Sequence, residues 1–210
     1  VRVIAIDGPA GSGKSTVARA LATRLGLDYL DTGAMYRSVA FAAMQRGIDP
    51  EDTDAVGALA AAVEINVGEI VTVDGVDATV EIRGPEVTRA VSVVAANPTV
   101  RKEMVLRQRE WAAAHDGGVV EGRDIGSVVF PDAELKIFLT ARDDERARRR
   151  SQEVRDLDYD EVAAAIARRD YLDSTRAASP LAKAPDAVEI DTSHLSVEEI
   201  VEQVMQRLAV

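Results

Sequence analysis

Hydrophobic and polar positions fall into two rhythms along this chain. Short apolar runs at Val3 to Ile6, Leu27 to Leu30, Val119 to Glu121, Leu135 to Leu139 and Val188 to Ile190 have the length and composition of buried strands. Between them lie stretches of helical period. Val17, Ala18, Leu21, Ala22 and Leu25 share one face at three- and four-residue spacing, and Val197, Ile200, Val201, Val204 and Leu208 repeat the pattern near the C-terminus. Ser196 and Glu199 form a capping box ahead of that last stretch. Strands alternating with helices over most of the length predict an α/β fold, a parallel sheet flanked by helices.

Two stretches depart from the alternation. Glu64 to Ile82 reads EINVGEIVTVDGVDATVEI, in which IVTV and ATVEI flank a DGVD turn. This predicts a small antiparallel hairpin inserted into the α/β domain. Arg142 to Arg176 is dense in charge and predicts two helices broken near Asp156 to Asp158, followed by the turn-rich SPLAKAP. Both stretches are expected to be mobile appendages on a rigid core.

Composition bounds the function. At 210 residues the chain suits one domain with small insertions. Lys and Arg number 25 against 36 Asp and Glu, a net charge of −11 that argues against nonspecific binding to nucleic acid or an anionic membrane. Local arginine placement can still hold a small anion. Cysteine is absent, which excludes disulfides, thiolate metal sites and thiol nucleophiles. The only histidines, His115 and His194, read as exposed polar residues rather than metal ligands. No apolar run approaches the roughly 18 residues of a membrane span, and the N-terminus shows no signal-peptide pattern. A cytoplasmic location is therefore expected, and nothing demands more than a monomer.

Candidate chemistry begins directly after the first strand. Gly8, Pro9, Ala10, Gly11, Ser12, Gly13, Lys14 and Ser15 fit G-x-x-x-x-G-K-[ST], the P-loop, and Thr16 continues into an amphipathic helix. Glycines let several backbone N–H groups turn onto one anion, and the helix N-terminus adds partial positive charge. Lys14 is expected to reach the β- and γ-phosphates of ATP, and the Ser15 hydroxyl to hold Mg²⁺. A guanine-reading N-K-x-D run is missing, since neither Asn66 nor Asn97 begins one. The strand AVEID ending at Asp191 is a weak match to a mechanochemical ATPase. A phosphoryl transfer to a second small molecule remains, with a different acceptor on the same scaffold, or a slow nucleotide switch, as the alternatives.

Five segments carry a closer resemblance: the loop at 8 to 16, DTGAMYR at 31 to 37, SVVAANPTVR at 92 to 101, EGRDIGSVVFPDA at 121 to 133 and RRDYLDSTR at 168 to 176. Together, in order and over essentially the whole chain, they resemble the bacterial cytidylate (CMP) kinase family. The resemblance implies one nucleoside monophosphate kinase domain over 1–210. Its core would comprise 1–31, 115–141 and 185–210, with an acceptor-binding region at 32–114 carrying the β insertion at about 64–84. A lid and adjoining helix would span 142–176. It also implies ATP and CMP or dCMP as substrates.

The same residues have readings of their own. Arg37 lies one turn beyond Gly33, within reach of a phosphate docked at that helix start. Arg123 and Asp124 follow a strand, at the sheet edge where open α/β proteins bind ligands, although a structural ion pair explains them equally. Cytosine offers an amino donor beside N3 and O2 acceptors, which a carboxylate or hydroxyl next to an arginine complements. Ser92, Arg101 and Asp124 supply that set, and the resemblance assigns them to the base; by periodicity alone Arg101 is a surface arginine. The resemblance further places Arg169 and Asp173 at the sugar, and Arg37, Arg123 and Arg176 around the acceptor phosphate. Thr32 and Tyr36 match acceptor-side positions. In RDDERARRRS, Asp144 is expected to pair with Arg148 and Glu145 with Arg149. Arg146 and Arg150, lacking such partners, are expected either as lid arginines over the donor phosphates or as surface charge.

Overall fold

The computed structural model describes residues 1–153 and 158–208. From the N-terminus run β1 (Arg2–Asp7), α1 (Lys14–Leu25), β2 (Tyr29–Asp31), α2 (Thr32–Gln45) and α3 (Thr53–Ala62). Three short strands follow, β3 (Ile65–Val67), β4 (Val71–Val73) and β5 (Val76–Asp77), then α4 (Pro85–Ala96) and α5 (Pro98–Ala114). The chain continues with β6 (Gly117–Gly122), β7 (Leu135–Thr140), α6 (Asp143–Glu153), α7 (Tyr159–Thr175), β8 (Val188–Asp191) and α8 (Val197–Leu208). The chain divides into two compact units, one of residues Val1–Tyr29 and His115–Val210, the other Leu30–Ala114.

The first unit is built on a sheet of order β2-β6-β1-β7-β8, with β1 pairing parallel to both β6 and β7 and β7 parallel to β8. Its strands read as unbroken apolar runs because both faces are covered. Ile4 and Ile6 of β1, Val119 of β6, Ile137 and Leu139 of β7 and Ile190 of β8 pack with Val17, Ala18 and Leu21 of α1 and with Ile200 and Val204 of α8. The helix faces read from the spacing are the ones that are buried. The capping box ahead of α8 is formed, with Ser196 N–H donating to Glu199 at 2.8 Å and Glu199 N–H to Ser196 Oγ at 3.2 Å. The sheet order makes β1 the strand on whose two sides the chain winds in opposite directions, so its C-terminal end is the topological switch point. Gly8 begins there.

In the second unit α2 buries Val39, Ala40 and Ala43, and α3 packs through Val56, Leu59 and Ala60. The expected antiparallel insertion forms, with different strands. It is a three-stranded antiparallel sheet of order β3-β4-β5, and its tight turn is Asp74-Gly75 alone, with φ of 50° and 77°. A two-residue turn of this hand matches the strand twist, so pairing resumes at once with Val73 opposite Val76, inside the expected DGVD turn. ATVEI is no strand: the Ala78 N–H donates to Val71 O at 2.9 Å, and Thr79 Oγ1 accepts the Val71 N–H at 2.9 Å. The chain is thereby bent into a 3₁₀ turn at Glu81–Arg83.

The charged stretch forms two helices as expected. Asp158 caps α7 in a full capping box with Glu161; Asp156, part of the expected break, lies outside the described residues. Among the described residues no helix is long and apolar enough to cross a membrane.

Burial orders the expected costs of substitution. Leu21→Ala, in a side chain fully enclosed by the first unit's core, should cost about 3 kcal/mol, and Ser196→Ala about 1 kcal/mol through loss of the cap. Urea denaturation checks the ranking; equal midpoints would contradict it.

Candidate active site

The loop after β1 is shaped by what approaches it. Gly8 has φ +150°, and a Cβ there would sit 2.2 Å from the Leu139 carbonyl of β7. Gly11, at φ +74°, would bring a Cβ within 2.9 Å of the Arg146 carbonyl. Both positions therefore exclude side chains. Gly13 precedes α1 with no side-chain cap, which leaves the first-turn amides suited to an anion. Lys14 is buried and curls back on its own loop, donating to Pro9 O at 2.7 Å, and Ser12 Oγ donates to the same oxygen at 3.0 Å. Ser15 and Thr16 are exposed on the first turn of α1.

Cations gather around Lys14 within this unit. Burial, reinforced by Arg123 and Arg169, lowers the Lys14 pKa to about 7 despite the opposing Glu121 and Asp170. Desolvation and Arg123 pull Arg169 down to about 10, and Arg150 adds to the effect. Arg123 donates to Asp173 at 2.8 Å and to Gly8 O at 2.9 Å. Asp173 resists burial and stays below the usual carboxylate range because Arg123, Arg169 and Arg176 surround it. Arg169 stands 3.9 Å from Asp173, and Arg176 stands 3.5 Å from Asp124. Arg176 also donates to Ser179 O at 2.7 Å. Lys14, Arg123, Asp124, Arg169, Asp173 and Arg176, drawn from three separated segments, are thus one cluster. Arg123 bonds Asp173 rather than its neighbour Asp124, so the simple Arg123–Asp124 pair is not what forms.

Of the two ion pairs expected along α6, Glu145–Arg149 forms and Asp144–Arg148 does not. Glu145 takes both Arg148 and Arg149, at 2.7 and 2.8 Å, while Asp144 pairs with Arg142 at 2.9 Å. Arg146 was expected to lack a partner; it is buried and donates to Asp143 at 2.6 Å, to Ala10 O at 2.9 Å and to Asp170. It is not surface charge. Asp143, three residues back on α6, lies within helical reach; Asp170 and Ala10 come from distant segments that spacing does not show.

In the second unit, Asp31 caps α2 by accepting the Ala34 N–H at 2.9 Å, and Thr32 opens the helix, buried. Arg37 is buried and donates to Ile82 O at 3.0 Å and Thr88 Oγ1 at 2.8 Å. Arg101, far from being a surface arginine, is 4% exposed, donates to Ala95 O at 3.3 Å and lies over the Tyr36 ring at 5.5 Å. Ser92 is buried on α4. Burial of two arginines among helices is costly unless their charge is used.

Three residues escaped the sequence reading. Asp170 accepts the Ala10 N–H at 3.1 Å, and Thr192 donates to Ser12 O at 3.0 Å while accepting from Arg149 at 2.9 Å. Asp7 accepts the N–H groups of Ile125 and Gly126, each at 2.8 Å. Only Asp7 had a signal, a carboxylate closing an otherwise apolar strand. Among the described residues no three His, Cys, Asp or Glu side chains group as a metal cage. An exposed Ser15 hydroxyl on the loop suits Mg²⁺, which keeps several waters and takes its remaining ligands from substrate phosphates.

Comparisons with known proteins identify the fold and the family. Solved structures of a gluconokinase from Sinorhizobium meliloti (TM-score 0.51, 16% identity, 99% of this chain and 91% of that one) and a sugar kinase from Janibacter (TM-score 0.51, 18% identity, 100% and 95%) share the fold. The cytidylate kinase of Geobacillus kaustophilus is 54% identical over 213 residues, 97% of this chain and 94% of that protein. The cytidylate kinase of Mycobacterium avium is 51% identical over 210 residues, 95% and 92%. The cytidylate kinase family model matches residues 4–209. With the loop, the arginine cluster and a match over nearly its full length, this chain belongs to the cytidylate kinase family.

Proposed function

We propose that this chain transfers the γ-phosphoryl group of ATP to CMP or dCMP, giving ADP and CDP or dCDP. The observation that carries the chemistry is the crowding of buried cations: burial with Arg123 and Arg169 beside it lowers the Lys14 pKa, and burial with Arg123 lowers that of Arg169. Such crowding is unfavourable until a polyanion shares it. An oxygen of the acceptor phosphate attacks the γ-phosphorus in line; that P–O bond forms as the bond to the β–γ bridging oxygen breaks, and ADP leaves. A nucleotide phosphate, with its second pKa near 6, is already largely ionised at neutral pH, so no strong base is required. The work is positioning and charge neutralisation.

In this reading residues 8 to 16 hold ATP and Lys14 neutralises the β- and γ-phosphates. Ser15 would hold Mg²⁺, which when bound supplies further positive charge to those phosphates. Arg123 and Arg176 act on the transferring and acceptor phosphates, and Arg169 and Asp173 on the sugar. Asp124 reads cytosine, as do Ser92 and Arg101 of the second unit, where Thr32, Tyr36 and Arg37 also serve the acceptor. Arg150, close enough to influence Arg169, is a lid arginine. Arg146 secures α6 to the loop through Ala10 O, so its contribution is first to hold the lid helix in place. Regions 32–114 and 142–176 then act as the acceptor-binding region and the lid. The protein works as a monomer in the cytoplasm.

An acceptor panel with ATP, scored by ADP release, tests the reaction. CMP and dCMP should stimulate release strongly, and AMP and GMP should not; a different preferred acceptor would overturn the assignment. Lys14→Ala should lower kcat at least about a hundredfold with the circular dichroism spectrum unchanged.

The depressed Lys14 pKa gives a pH dependence of defined sign. Above about pH 7 the free protein's Lys14 is mostly neutral, whereas bound phosphates favour its cation. ATP binding should therefore take up a proton at pH 8, and affinity should fall up to about tenfold per unit above pH 7. Calorimetry in buffers of differing ionisation heat measures the uptake; none at pH 8 would contradict the role of Lys14.

A further inference from the structure

Asp7 closes β1 and is 5% exposed. Its two carboxylate oxygens accept the N–H groups of Ile125 and Gly126, each at 2.8 Å. Those residues open the π-helical turn Ile125–Val129, whose N-cap is Asp124. Aspartate at an N-cap ordinarily folds its own carboxylate back onto the amides of its turn, but Asp124 makes no such bond. Asp7 takes the amides instead. The parallel register, with Asp7 opposite Gly122, puts it level with the approach to Arg123 and Asp124. The Asp124 carboxylate is turned to Arg176, 3.5 Å away.

We propose that Asp7 is a positioning residue for acceptor recognition: it caps the turn after Asp124 from the neighbouring strand and so keeps the Asp124 carboxylate available to the cytosine base. This rests on the role given to Asp124 above. The two N–H groups bond different oxygens, Oδ1 and Oδ2, and an amide would present an NH₂ donor in place of one of them. Burial pushes the Asp7 carboxyl up to about 6; the Gly126 and Ile125 amides oppose this, Asp124 adds to it and Lys14 counters it. At neutral pH Asp7 is mostly ionised and both oxygens accept.

A double-mutant cycle tests the proposal, with Asp7→Asn, Asp124→Ala and the double variant read by kcat/KM for CMP. Asp7→Asn should lower kcat/KM for CMP about tenfold to a hundredfold, mainly through KM, with the KM for ATP moving less than about threefold. In the Asp124→Ala background the same change should have no further effect beyond about twofold. An equal loss in both backgrounds would show that Asp7 acts independently of Asp124 and overturn the proposal. If Asp124→Ala impairs CMP use and Asp7→Asn does not, the proposal alone fails. If Asp124→Ala leaves CMP use intact, the base-reading role of Asp124 falls and the proposal with it. Should Asp7→Asn fail to fold, Asp7→Ser, which keeps one acceptor oxygen, enters the same cycle with the same outcomes.

Discussion

Like charges held together away from water dominate the first unit of this protein. Burial and the nearby Arg123 lower the pKa of both Lys14 and Arg169, and Arg169 adds to the effect on Lys14. Asp173, ringed by three arginines, only partly offsets them. A net charge of −11 does not soften this, because at short range in a partly buried site the neighbouring groups outweigh the average. The fold maintains an arrangement that is poor for the empty protein and good for one holding phosphates. That asymmetry is how binding energy is directed to charge that develops in a transition state.

The C-terminal end of β1 is where the cluster is organised. Within two residues the chain supplies Asp7, which grips the turn after Asp124, and Gly8, whose carbonyl accepts Arg123 and whose missing side chain lets Leu139 approach. The phosphate loop and the residues at the end of β6 are therefore set by one strand end. Along α6 the same economy holds: Arg146 ties the helix to Ala10 O, and Asp170 ties α7 to the Ala10 N–H. One residue of the loop thus reports on both helices.

The second unit solves a different problem, holding arginines inside helices. Arg37 is anchored by Ile82 O and Thr88, and Arg101 by Ala95 O and the face of Tyr36. Each bond fixes a rotamer of a long side chain, so less entropy is lost when an anion or a base edge arrives. The three-stranded insertion delivers the 3₁₀ turn that carries Ile82, and so bears on how Arg37 is held.

Much of the architecture was written in local pattern. Val17, Leu21, Ile200 and Val204 announced their buried faces through helical spacing, the strands through short apolar runs, and the phosphate loop through a motif whose glycines are required by Leu139 and Arg146. Periodicity sufficed there because burial of one face is a one-dimensional signal. It failed where partners came from afar: the Arg146 bond to Asp170 spans 24 residues, and Arg101 looked exposed because the ring beneath it belongs to α2. The antiparallel insertion was legible but its second strand was misplaced for a local reason, since the two-residue turn at Asp74-Gly75 ends sooner than its composition suggested. Asp7 needed both, a strand end read from the chain and a parallel register that only the folded sheet provides. The sequence determined which elements form and where a phosphate can sit; the tertiary structure decided which charges meet, because hydrogen bonds and Coulomb forces act through space and not along the chain.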